Sequence, residues 1–254
     1  MKIVFFGTPS FVDPVLKILQ ENFEVAQIIR HPQAFDGKFI SQLKSLNPDI
    51  FVVSAYGQIL PKSLLEVPTL GTINIHPSLL PKYRGASPIQ NAILNGDKKT
   101  GVTFIKMDEE VDHGPIIKQF EVEILPTDTF ESLAKKLFEL AANKILEVLD
   151  ANQSTPQDDS KATFTQTLTR QDGYIDLSIV NNKSSMVNLE KMIRAYFPWP
   201  GVWFKHEING KEVIIKLLPQ GKIQVEGKSP MSYKDFANGY SEGNEILKSL
   251  NLVK

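Results

Sequence analysis

KIVFFGTPSFVDPVLKILQENFEVAQIIR (2–30), continued by KFISQLKSLNPDIFVVS (38–54), decides the fold. KIVFF is a short apolar run stopped by Gly7-Thr8-Pro9, and Ser10 and Pro14 then open a helical pattern through Val15, Leu16, Ile18 and Leu19. EVAQII (24–29) and DIFVVS (49–54) are two more strand-like runs flanking the helical KFISQLKSL. The order βαβαβ predicts a doubly wound, mostly parallel sheet. Gly7 belongs to no GxGxxG, so a dinucleotide site is not indicated.

Working outward, GTINIH (71–76) and GVTFIKM (101–107) read as strands, with a helix between them started by Pro88 and stopped near Gly96. The acidic turn DEEVDHG (108–114) leads into another β run, PIIKQFEVEI. A long helix follows from about Asp128 to Leu149, with Asp128 and Glu131 at capping-box spacing. The polar stretch ANQSTPQDDSKAT (151–163) has the composition of a linker or exposed loop. Beyond it come one clear helix, SMVNLEKMIRAY (185–196), closed by FPWPG, and the runs VWFKHEI, KEVIIKLL and KIQVEG. The turns Asn209-Gly210 and Gln220-Gly221 separate these runs and predict a small antiparallel barrel. The expected domains are 1–155 and 156–254.

Two hundred and fifty-four residues, 42% hydrophobic and 22% charged, suffice for two cores and exclude extended disorder. No apolar run is long enough to cross a bilayer, and MKIVFFGTPSF lacks the phases of a signal peptide, so a cytoplasmic chain is expected. The absence of cysteine excludes a thiol nucleophile and any Cys-based metal site. A net charge of −1 argues against a protein held mainly by nucleic-acid backbone.

Chemistry concentrates at Asn74-Ile75-His76-Pro77. Strand alternation puts Asn74 and His76 on one face, and Pro77 ends the strand there. Ligands of open α/β sheets sit beyond the carboxyl ends of strands, which favours a site, although the same pair could merely satisfy loop backbone. Asp112 follows another strand. An aspartate beside a histidine fixes its tautomer, and an asparagine amide can donate to an oxygen that becomes negative, so the three suit acyl transfer to an amine without a covalent intermediate. The blander alternative makes Asp112 part of a solvated acidic loop. A metal site from His76, Asp112 and His113 lacks standard ligand spacing, and none is expected.

INIHPSLLPKYRGASPIQNAILNGDKKTGVTFIKMDEEVDHGPII resembles the catalytic stretch of the folate-dependent formyltransferases. SAYGQILP (54–61), DGYIDLS (172–178), AYFPWPG and VEGKSPMSYKDFANGY (225–240) extend the resemblance over most of the chain. It implies that Asn74, His76 and Asp112 are the catalytic trio. It also implies a 10-formyltetrahydrofolate donor beside Ser78-Leu79-Leu80-Pro81, with Gln58, Ile59, Leu60 and Val111 building the pterin pocket. The implied acceptor is the α-amino group of methionine on initiator tRNA, held partly by a C-terminal barrel of the oligonucleotide-binding type. Lys191, Arg194, Lys205, Lys211, Lys216, Lys222 and Lys228 are the candidate phosphate contacts. An amino-sugar nucleotide is the alternative acceptor. The family carries a longer basic insertion where this chain has only HPQAFDGK (31–38). A monomer without metal is expected.

Overall fold

The computed structural model describes residues 1–151, 153–177, 183–208 and 210–252, giving the backbone alone for 183–188. Ser178 and Asn209, singled out above, lie outside the described residues. Two compact units emerge: residues 1–89, 98–124 and 133–167 form one, and 90–97, 125–132 and 168–254 the other.

The first unit is built on the predicted alternation. β1 (Lys2–Phe6), α1 (Asp13–Asn22), β2 (Glu24–Ile29), α2 (Gly37–Ser45), β3 (Ile50–Ser54), α3 (Lys62–Leu65) and β4 (Thr72–His76) come in that order. β5 (Arg84–Gly85), α4 (Pro88–Asn95), β6 (Lys99–Lys106), β7 (Ile116–Glu123), α5 (Phe130–Leu149) and β8 (Phe164–Thr165) follow along the chain, most of α4 and the first three residues of α5 falling in the second unit. The six-stranded sheet has the order β2-β1-β3-β4-β6-β7. Its first four strands are parallel, whereas β6 runs antiparallel to both β4 and β7.

Burial explains the strand sequences. β1 and β3 are apolar along almost their whole length because the sheet is covered on both sides, as parallel sheets require. One face packs Val4, Phe6, Phe51 and Val53 against Ile29, Leu43, Tyr56, Leu60 and Leu64. α5 buries Leu133, Ala134, Leu137, Phe138, Ala141 and Ile145 at helical spacing, and Phe138 stacks on Phe11 with ring centroids 5.0 Å apart. α2 starts where the Asp36 carboxylate accepts the Phe39 N–H, a capping bond that the sequence left unassigned.

In the second unit, α6 (Lys183–Tyr196) precedes β9 (Val202–Ile208), β10 (Lys211–Leu218), β11 (Lys222–Val225), β12 (Met231–Ser232), α7 (Tyr233–Gly239) and α8 (Gly243–Ser249). The strands form one antiparallel sheet in the order β12-β11-β10-β9. Gln220 and Gly221 both take positive φ, the backbone a tight hairpin between β10 and β11 requires. Ahead of α5 the capping bonds differ from the expected pair: Thr129 and Ser132 exchange them, while the Asp128 carboxylate accepts the Leu125 N–H and the Ser132 hydroxyl. Among the described residues no helix is long and apolar enough to cross a membrane.

Candidate active site

β4 presents Asn74 and His76 on the same face, and the next residue, Pro77, leaves the sheet. Asp112 reaches that face by an unexpected route. Parallel neighbours would have brought two strand ends together, but β6 runs opposite to β4, so its end lies beside the start of β4. The loop from Met107 to Pro115 therefore folds back over the sheet, and Asp112 makes the reversal with a φ of +50°.

The three side chains meet. Asn74 Nδ2 donates to Asp112 Oδ1 at 2.9 Å, and the Gly85 N–H donates to Asp112 Oδ2 at 2.9 Å. His76 Nδ1 lies 3.4 Å from the same Oδ2, and its Nε2 lies 2.9 Å from the carbonyl oxygen of Tyr83. His76 is only 4% exposed. Burial pushes the Asp112 carboxyl up, yet the His76 charge and the donors from His76, Gly85 and Asn74 outweigh it and hold the group below the usual carboxylate range. Asp112 is thus a carboxylate throughout neutral pH. The site also carries backbone strain, since Ala55, Tyr83 and Asp112 are non-glycine residues with positive φ.

The loop after β4 is tightly held. Ser78 is fully buried and its hydroxyl donates to the Lys82 carbonyl. The Thr103 hydroxyl donates to the Ser78 carbonyl and accepts the Leu80 N–H, and Gln119 Nε2 donates to the Leu80 carbonyl. Leu79 packs over Gly101, where an added Cβ would come within 2.5 Å of it. Leu80 is buried and Pro81 partly so.

The other predicted lining residues divide. Ile59 and Val111 are exposed apolar side chains, at 71% and 47%. Leu60 is buried in the sheet core. Gln58 is occupied in pinning the short connection: its Oε1 accepts the Gln33 N–H and its Nε2 donates to the Gln33 carbonyl. Tyr56 adds a hydrogen bond to the His31 carbonyl, so segment 31–38 is anchored to the loop after β3. His113 Nδ1 is paired with Asp108 at 2.7 Å.

Sequence reasoning missed the Gly85 N–H, the Tyr83 carbonyl, Thr103, Gln119, and the pair Arg84 and Gln157. Gly85 gave one legible signal. In RGASP it precedes the Ser-Pro of a helix start, and it takes a φ of +107° that other residues avoid.

The formyl transferase family profile matches residues 9–149, which contain Asn74, His76 and Asp112. Methionyl-tRNA formyltransferase of Roseiflexus sp. (strain RS-1) is 37% identical over 238 residues, covering 79% of this chain and 72% of the relative. That of Thermodesulfovibrio yellowstonii is 35% identical over 298 aligned positions, covering 93% and 95%. The second alignment is longer than the 254-residue chain itself, so the relative carries residues with no counterpart here. Among solved structures, methionyl-tRNA formyltransferase from Clostridium thermocellum shares the fold with a TM-score of 0.66 at 22% identity, covering 91% of this chain and 99% of that one. A likely sugar N-formyltransferase from Mycobacterium tuberculosis does so with a TM-score of 0.68 at 21% identity, covering 86% and 97%. The chain belongs to the formyl transferase family, among the methionyl-tRNA formyltransferases.

Proposed function

We propose that the protein transfers the formyl group of 10-formyltetrahydrofolate to the α-amino group of methionine on initiator methionyl-tRNA, using Asn74, His76 and Asp112. The observation that carries this reading is the convergence of a carboxamide, an imidazole and an ionised carboxylate on one face of β4, within the stretch matched by the family profile. A structural neighbour, HypX from Aquifex aeolicus, is described in complex with tetrahydrofolic acid and supports a donor of that class.

The donor supplies a formyl carbonyl activated toward amines. Asn74 commits one amide proton to Asp112, which leaves the second to donate to the formyl oxygen as it gains charge. Asp112 accepts the proton released when the amine attacks, and the same proton goes to the nitrogen that departs from the formyl carbon. His76 has both ring nitrogens facing acceptors, so its part is to fix the Asp112 carboxylate in place. Exposed Ile59 and Val111 offer apolar surface to a flat ring, and of the Ser78–Pro81 turn the partly exposed Leu79 and Pro81 do so. No step calls on a metal.

We assign catalysis to residues 1–155 and tRNA contact to 156–254, the protein acting as a cytoplasmic monomer. Lys211, Lys216, Lys222 and Lys228 are exposed and suit phosphate contacts. Arg194 serves otherwise: it pairs with Glu190 and donates to the Asp128 carbonyl. Lys205 is paired with Glu212 at 2.7 Å.

Incubating the protein with radiolabelled formyl donor and either methionyl-tRNA or a panel of amino-sugar nucleotides tests the assignment. Label should appear on methionyl-tRNA alone. Label on a sugar amine with none on tRNA overturns the acceptor and leaves the chemistry intact.

A further inference from the structure

The polar segment after α5 is stitched to the catalytic unit, and one side chain carries the connection to the site. Thr155 and Ile116 exchange two backbone hydrogen bonds of 2.8 Å. Two residues on, Gln157 Nε2 donates to the carbonyl oxygens of Asp112 and Gly114, each at 2.8 Å. Gln157 Oε1 accepts from Arg84 Nε and one terminal guanidinium nitrogen, at 3.1 and 2.8 Å. Arg84 is 4% exposed and is itself fixed by Asp159 at 2.7 Å. On the opposite side the loop is confined by β6, since a Cβ on Gly114 would meet the Lys106 carbonyl at 1.9 Å. We propose that Gln157, locked by Arg84, is a positioning residue for formyl transfer. It holds the Asp112 backbone in its left-handed turn, so that the carboxylate reaches Asn74, the Gly85 N–H and His76. The proposal rests on the reading of Asp112 as the catalytic carboxylate.

The chemistry of the position selects this residue type. Two carbonyl oxygens need two donors, and the guanidinium needs an acceptor; a glutamine amide supplies both. Glutamate would set a negative charge against the two carbonyls, and leucine would leave them, and a buried guanidinium face, without partners. Neither substitution touches the reacting groups.

The test compares Gln157→Glu and Gln157→Leu with Arg84→Met, the Arg84→Met/Gln157→Leu double variant and Asp112→Asn, in the full-length protein with saturating donor. The readouts are kcat and KM for methionyl-tRNA, the pH profile of kcat, and thermal unfolding. Both Gln157 variants should lose about tenfold or more in kcat, with KM changed by less than about threefold and the acid limb of the profile moved to higher pH. The double variant should be little worse than the weaker single one, because both act through one relay. Should Gln157→Leu fail to fold, Gln157→Asn, which keeps the amide but shortens its reach, should show the same kcat loss. A wild-type kcat and profile in folded Gln157 variants, with or without a lowered unfolding temperature, overturns the positioning role if Asp112→Asn is inactive. Activity retained in Asp112→Asn instead overturns the reading of Asp112 on which the role depends.

Discussion

His76 Nε2 lies 2.9 Å from the carbonyl oxygen of Tyr83, whose own backbone is left-handed with a φ of +65°. A carbonyl only accepts, so the proton sits on Nε2, and Nδ1 is turned toward Asp112. His76 is almost wholly shielded from solvent, so its contact with Asp112 is made away from water. His76→Ala takes a buried partner from the Tyr83 carbonyl and from the Asp112 carboxylate, and a loss of about 1–3 kcal/mol in unfolding free energy is expected together with the loss of turnover. Urea denaturation of the purified variant measures it; wild-type stability would show that the imidazole does not tie the Tyr83 carbonyl and Asp112 together.

Asn74→Ala removes the amide proton assigned to the developing oxyanion. A loss of about a hundredfold or more in kcat is expected, the scale for one such donor. Steady-state kinetics with saturating donor decide the point, and a kcat within about threefold of wild type removes Asn74 from the mechanism.

Gly85→Ala tests the backbone donor to Asp112. Its φ is +107°, and an added Cβ would lie 2.3 Å from the Thr165 carbonyl oxygen, so β5 and β8 have to part. The strained backbone alone costs about 1–3 kcal/mol. Denaturant unfolding should report at least that loss, and turnover should fall because the N–H withdraws from Asp112; a variant as stable and active as wild type contradicts the close packing described.

Two titrations give stability opposite slopes with pH. Asp112 has a lowered pKa, so its contribution is present above the ordinary value of 3.8 and is lost as pH falls through the folded value. The Asp108 hydrogen bond raises His113, so its contribution is complete below the ordinary value of 6.5 and is lost as pH rises through the folded value. The difference in unfolding midpoint between wild type and His113→Gln should accordingly shrink from about pH 6 to about pH 9. A difference that grows over that range contradicts the pairing.

Affinity for tRNA should fall steeply with salt, and Lys216→Glu should weaken binding without changing turnover at saturating acceptor. Filter binding at low and moderate salt measures both. Salt-independent affinity rules out the phosphate contacts assigned to this face.

Much of the first unit could be read directly. The βαβαβ order followed from the apolar runs, and the shared face of Asn74 and His76 followed from alternation before Pro77. What could not be read depended on direction and on distant side chains. An apolar run such as GVTFIKM does not tell whether it runs with or against its neighbour, so the fold-back that delivers Asp112 was not visible. Leu60 looked like pocket lining because an apolar residue after a strand serves a pocket or a core equally well; its burial among Phe6, Phe51 and Leu64 decided for the core. Arg194 read as a phosphate contact from charge alone, but Glu190 one turn earlier claims its guanidinium. The Arg84–Gln157 contact spans 73 positions, and no local pattern announces a pair of that separation.

The most direct test of the central claim is the single-turnover rate of formyl transfer to methionyl-tRNA in Asp112→Asn, with donor and enzyme in excess over acceptor. Asparagine keeps the size of the side chain but can neither carry the negative charge nor take the amine proton. The rate should fall by about a hundredfold or more while methionyl-tRNA still binds. A rate within a few-fold of wild type would show that the carboxylate joined to Asn74 and His76 is not where the formyl group changes hands.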